Sequence, residues 1–194
     1  MNCFCASPRC DGRGVFRAVR YSLPMADNVA LSRALALHSS VADALLAAAE
    51  AFPPERWHEP IAEGKWTTAQ IVSHLIATYD ILLSDLRTGV GMRVLTKWWQ
   101  RVLLRIFLVP RLLAGGKFPK TARAPRETRP TTVFEKPDAI DLFRERSREL
   151  EEEARKAPAR TKITHAYFGS ASVAAGVTLC SRHIEHHLVQ LPRE

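Results

Sequence analysis

The sequence is short of acid where it is richest in base. Over residues 87–130, eleven Lys/Arg face a single Glu, a net charge of +10, while residues 1–24 add four Arg and one Asp, +3. The total is +8, so the rest of the chain carries −5. A pI near 9.7 points to nucleic acid when it describes a whole domain. Here it belongs to one segment and one tail, the body is acidic, and no recognition motif is present. Nucleic acid is therefore not an expected partner. Cysteine is scarce in the body: Cys3, Cys5 and Cys10 crowd the N-terminus and only Cys180 lies further on. That excludes a disulfide framework, and C-x-C-x4-C lacks a fourth ligand for a zinc knuckle. Residues 1–24 have no apolar core of the signal-peptide kind, which leaves the cytoplasm as the expected compartment. They read as a disordered tail, and Met25 as an alternative start, ahead of a domain over 25–194. Regular hairpin turns are missing too. Helix formers broken by Pro pairs and Gly-containing loops favour an all-α fold.

What is present begins with C-S-R-H-I-E-H-H-L-V-Q-L, residues 180–191. On a helix, positions four apart lie one turn above each other. His183 and His187 can therefore offer nitrogens to one point, while His186 points to the other side of His183. Two imidazoles on one side of a helix are half of a metal site, and a further ligand must come from elsewhere. Gln190, seven residues after His183, is placed to hold a ligand or a metal-bound water.

A first helix is expected from an Asp27 or Asn28 cap to about Phe52, ended by Pro53-Pro54. Its seam runs through Leu31, Leu35, His38, Ala42, Leu45, Ala49 and Phe52. His38 reads as a buried histidine bonded to a carbonyl, or as a group lining the site. Thr67 and Gln70 form a T-x-x-Q capping box, with Trp66 set to staple onto Ile71, and open a helix to about Thr88. His74 lies on its apolar side, between Ile71 and Leu75. A buried imidazole needs a partner, and a metal shared with His183 and His187 is one.

Residues 91–114 read as a basic amphipathic helix: Arg93, Lys97, Arg101 and Arg105 recur every four residues, against Val94, Leu95, Trp98, Trp99, Val102, Leu103, Ile106 and Phe107. A charge at every turn rules out a buried span. The stretch is either an extra helix over the bundle or a helix lying on an anionic membrane or acidic partner. Proline-punctuated residues 117–136 read as an extended strap. A third bundle helix runs from about Pro137 or Asp138 to Pro158, burying Ile140, Phe143, Ser147, Leu150, Ala154 and Ala157. Its Glu149, Glu151, Glu152 and Glu153 read as a solvated face. T-H-A-Y-F-G, 164–169, is expected to be a loop, with Ser170 or Ser172 capping the last helix.

W-T-T-A-Q-I-V-S-H-L (66–75), followed by H-x-x-H-H-x-x-Q-L (183–191), resembles the DinB-like (DinB/YfiT) superfamily, and H-A-Y-F-G resembles the H-P-x-F-G of one branch. The likeness covers roughly 27–191. It implies an all-α four-helix bundle in up-down-down-up order, with residues 89–136 as the long crossover between the second and third helices. It also implies a divalent metal on His74, His183 and His187; imidazole-only ligation suits nickel or zinc. Relatives with known activity resemble metal-dependent transferases and isomerases that use low-molecular-weight thiols, or hydrolases. Ala166 stands where that branch has Pro, and Ser-Val-Ala-Ala (172–175) replaces an acidic-aromatic helix start; both bear on the substrate pocket. The expected chemistry is a metal-activated thiol or water attacking a small electrophilic substrate. His165 and Tyr167 would lie near the site mouth, with Gln190, His186 and His38 as neighbours. The competing class is a non-catalytic, stress-associated bundle whose segment 91–114 touches a membrane or acidic partner. A homodimer is compatible with either.

Overall fold

A computed structural model describes residues 22–119 and 124–191, with side chains from Asn28 onward. Helix α1 spans Ser22–Ala51, α2 Thr68–Thr88, α5 Lys136–Lys156 and α6 Val173–Leu188. These four long helices enclose one apolar core, with α1 against α6 and α5, and α2 against α5. Helix α1 begins ahead of the expected Asp27 or Asn28 cap and takes in residues 22–24, while residues 1–21 lie outside the described part. Between Asn28 and Ala51 it is long and apolar enough to cross a membrane by length and composition. Its Leu35, His38, Ala42, Leu45 and Ala49 are packed into the bundle.

Helix α2 starts on the expected capping box: Thr67 accepts from the Gln70 amide, and the Gln70 side chain accepts from the Thr67 amide. It ends at Gly89, in the left-handed conformation that glycine adopts without strain (φ 74°). Burial extends beyond Ile71, His74 and Leu75 to Val72, Ser73, Ile76, Tyr79 and Leu83. The reason is that α2 is covered on two sides, by α5 and by the crossover and hairpin. The strap is tied to it by the Phe134 amide donating to Ser73 Oγ, and the buried Trp57 indole donates to the Phe134 carbonyl. Ion pairs between Arg146 and Asp80, and between Arg87 and both Glu149 and Glu153, join α2 to α5. The acidic run of α5 is therefore only partly a solvated face.

The fold is mostly helical rather than all-α. Lys162–His165 (β1) and Gly169–Ser172 (β2) form an antiparallel hairpin where a loop was expected. Gly176 of α6 lets Ile163 of β1 approach so closely that a Cβ would meet its side chain at 2.7 Å. Ser172 caps α6 by accepting from the Ala175 amide. The crossover segment is extended to Lys97 and then helical, as α3 (Trp98–Leu103), a π turn (Leu104–Leu108) and α4 (Val109–Leu113). Pro110 has no amide proton to offer residue 106, and the preceding Val109 amide bonds back to Leu104, five residues away.

Candidate metal centre

Helix α2 buries His74 and α6 brings His183 and His187 to meet it. His183 Nε2 lies 3.1 Å from His74 Nε2 and 3.0 Å from His187 Nε2. Among the described residues these three form the group of potential ligands able to share one ion, their donor atoms all within 4.8 Å of one another.

The outer nitrogens decide what the inner ones can do. His74 Nδ1–H donates to the carbonyl of Thr128, at 2.5 Å, so a strap residue orients the ring. His187 Nδ1–H donates to Gln190 Oε1, at 3.1 Å. Both rings therefore present Nε2 lone pairs inward. One His183 Nε2–H can satisfy one of those lone pairs; the other then faces a nitrogen with no further proton to give. A shared cation removes that conflict. Imidazoles bound tetrahedrally at about 2.0–2.1 Å from zinc stand roughly 3.3 Å apart, close to the two separations at His183. The donor set fits a divalent ion.

Electrostatics agree with this. Burial, then the neighbouring imidazoles, holds His183 well below the ordinary histidine range. Burial first, then His74 and His186, lowers His187 to about 3. Burial also lowers His74, against the opposing Thr128 hydrogen bond. Neutral imidazole is the ligating form. Trp66 lies edge-on to His74, centroids 5.0 Å apart, and stacks on His187 at 6.4 Å. The indole thus packs directly against two of the histidines.

The histidines open into a cavity of about 1010 Å³, walled largely by Leu82, Leu104, Leu108, Leu112, Phe118 and Leu179. His165 and Tyr167 line it as expected from the sequence. His165 stacks on Phe168 at 4.3 Å, and its Nδ1 accepts from the Tyr167 amide, so its proton sits on Nε2. Burial lowers its pKa to about 4. Gln190 also donates through Nε2 to His186 Nε2, at 3.0 Å, and the His186 ring faces Phe118. Cys180 lines the cavity, burial pushes its thiol up to about 12, and it is not among the residues whose donor atoms converge.

His38 is not brought to this site. It is fully buried elsewhere in the bundle, between Glu151 (Nδ1 to Oε1, 3.0 Å) and the Tyr79 hydroxyl (Nε2 to Oη, 2.9 Å), and its partners are side chains rather than the expected carbonyl. The Thr128 carbonyl and Phe118 escape sequence reasoning, since a backbone oxygen on an irregular strap has no residue-type signal. Trp66 was legible only as a helix-entry residue.

No curated protein and no solved structure matches the chain. The sequence profile of the DinB superfamily matches residues 38–191, from the middle of α1 through the histidines of α6. The convergence of α2 and α6 on one imidazole cluster lies within that stretch, and the chain belongs to the DinB superfamily.

Proposed function

We propose that this protein is a divalent-metal-dependent enzyme, an up-down-down-up four-helix bundle in which His74, His183 and His187 hold the ion for a thiol-transfer or hydrolytic reaction on a small electrophile. The observation that supports this is the meeting of three Nε2 atoms, two with lone pairs fixed inward, at the wall of a large apolar cavity. Three neutral ligands leave a divalent ion its full charge and open positions, and such an ion acidifies a thiol or water and polarises a carbonyl. Nickel or zinc suits the imidazole donors.

The protein's own groups divide the remaining work. Thr128 and Gln190 fix the tautomers of His74 and His187, and Trp66 packs against both rings. His165, neutral and with its proton on Nε2, serves as a hydrogen-bond donor to bound substrate rather than as a base. Burial disfavours the Cys180 thiolate, so the reading assigns an attacking sulfur to a low-molecular-weight cosubstrate. The cavity walls select the apolar part of the substrate.

Calorimetric titration of metal-free protein with zinc or nickel tests the reading. One tight equivalent is expected for the wild type and none for His74→Ala. A His74→Ala protein that kept one tight equivalent would remove His74 from the centre.

A further inference from the structure

Helix α3 and the π turn are apolar on two opposite sides, and α4 continues the inner one. Leu104, Leu108 and Leu112, four residues apart, face the bundle, with Leu112 fully buried beside Phe168 and Leu179. The segment is also pinned by the Leu95 amide donating to the Ala166 carbonyl and by the Thr96 hydroxyl donating to the Tyr167 carbonyl. The outer side carries Trp98, Trp99, Val102, Leu103, Ile106 and Phe107, all exposed, with Trp98 and Phe107 each 71% accessible. Residues four apart drift round an ordinary α-helix, and the wider π turn at 104–108 offsets that drift. The outer stripe therefore stays on one side for its whole length. An apolar helix side calls for cover, and only one of these two sides has it.

Charge decides what the missing cover is. Arg93, Lys97, Arg105, Arg111 and Lys117 lie in or beside the same stretch of chain, all are exposed, and none forms an ion pair among the described residues. No Asp or Glu occurs between Asp85 and Glu127. Several arginines of the bundle behave differently: Arg87, Arg144 and Arg146 are paired with carboxylates. A two-fold dimer through the stripe would set like charges against each other. Residues 1–21, with four Arg and one Asp, are basic as well. Large aromatics in an unbroken apolar strip, edged by Lys and Arg, are the composition of a helix lying in the interface of an anionic bilayer.

We propose that residues 95–107 dock this protein onto an anionic phospholipid surface, with Trp98, Trp99, Ile106 and Phe107 entering the acyl boundary and the flanking bases meeting lipid phosphates. The proposal is independent of the metal centre. Full-length protein is mixed with vesicles of equimolar phosphatidylglycerol and phosphatidylcholine, or of phosphatidylcholine alone, and followed by sedimentation and tryptophan emission. Expected are co-sedimentation and a blue shift with the anionic vesicles, loss of both in high salt, and persistence of both under chelation and in His74→Ala. The double variant Trp98→Ser/Phe107→Ser should stay in the supernatant with an unchanged melting temperature. Arg105→Gln should bind about fivefold more weakly, as expected for one basic residue near such a surface. Folded wild type that ignores anionic vesicles at low salt overturns the proposal, as does a double variant that binds as well as wild type. A dimer dispersed by the double variant, without vesicle binding, assigns the stripe to self-association instead. Stoichiometric capture of an acidic protein, without vesicle binding, assigns it to that partner.

Discussion

The bundle buries two histidine networks, and they are built on opposite logic. Around His38 every polar atom has a complement: the Tyr79 hydroxyl on one ring nitrogen, the Glu151 carboxylate on the other, and Arg155 on that carboxylate. Around His183 the neighbours of imidazole nitrogen are more imidazole nitrogens. The first network is closed and has nothing left to bind. The second has the outer nitrogens of His74 and His187 anchored and its inner ones facing each other, a conflict that a shared cation would relieve. The comparison teaches that burial does not mark a functional histidine; the mismatch of its partners does.

The largest expected effect is a crossed pair of substitutions. His74→Ala should lower metal affinity by more than about 100-fold, beyond the range seen on removing groups that merely orient a ligand, while the metal-free protein melts near the wild-type temperature. His38→Ala should keep the full metal equivalent and instead lose about 2–4 kcal/mol of stability, because the buried Tyr79 hydroxyl loses its partner, the part-buried Glu151 keeps only Arg155, and a cavity opens. In a chain of this length that is a fall in melting temperature of roughly 4–16 °C. Calorimetry and metal titration on both variants check the pair, and a stability loss confined to His74→Ala would invert the comparison.

Acid should separate the networks next. His187 titrates near 6.5 when unfolded and near 3 when folded, so between those values the unfolded chain binds the extra proton. Stability then rises with pH and is lost as pH falls below 6.5, by about 1.4 kcal/mol per pH unit for each such histidine. His183, shifted the same way, adds to the slope. Glu151 is held below its ordinary 4.5, chiefly by the hydrogen bond from His38, so its contribution persists until pH drops under that value. Melting temperatures of metal-free protein should already decline from pH 6.5 to 5, and a flat profile there would show the histidines to be more accessible to protons than their burial implies.

The same distinction explains how much was legible in the sequence. The i, i+4 pair His183/His187 and the apolar-face His74 are periodicity statements, and periodicity survives folding; the Thr67/Gln70 capping box likewise fixed the start of α2. His38 sat in an equally good seam, yet nothing in a single helix's pattern tells that a carboxylate 113 residues away will satisfy it. Glu151 was hidden inside a run of glutamates. The hairpin at 162–172 lacks the two-residue Asn-Gly or Asp-Gly turn that announces such pairs. The outer stripe of α3 and the π turn was read correctly as apolar, but exposure is a property of the neighbours, and the sequence does not show that only one side of that segment is covered.

Within the open network, Gln190→Ala should weaken metal binding by about 10–100-fold while leaving one equivalent bound. The side chain accepts from His187 Nδ1 and so directs the Nε2 lone pair at the centre. Without it, the ring can turn or adopt the other tautomer. Gln190→Glu retains an acceptor and should recover most of the affinity. If the two variants bind alike, the hydrogen bond does not set the tautomer.

The smallest effect belongs to the closed network and is the sharpest check on its being closed. Tyr79→Phe removes one hydroxyl and leaves the ring packed against Phe143, centroids 5.2 Å apart. Burial holds the Tyr79 phenol protonated, so its O–H is the donor to His38 Nε2, and His38 keeps its second bond to Glu151. One acceptor nitrogen then loses one partner in a dry site, worth about 1–3 kcal/mol and partly recoverable through solvent or a small shift. A drop of roughly 2–4 °C per kcal/mol follows, with no change in metal affinity because the cluster of His74, His183 and His187 shares no hydrogen bond with this network. A change in metal affinity on Tyr79→Phe would mean that the two networks communicate through the core between α1, α2 and α6, and the division drawn between them would have to be given up.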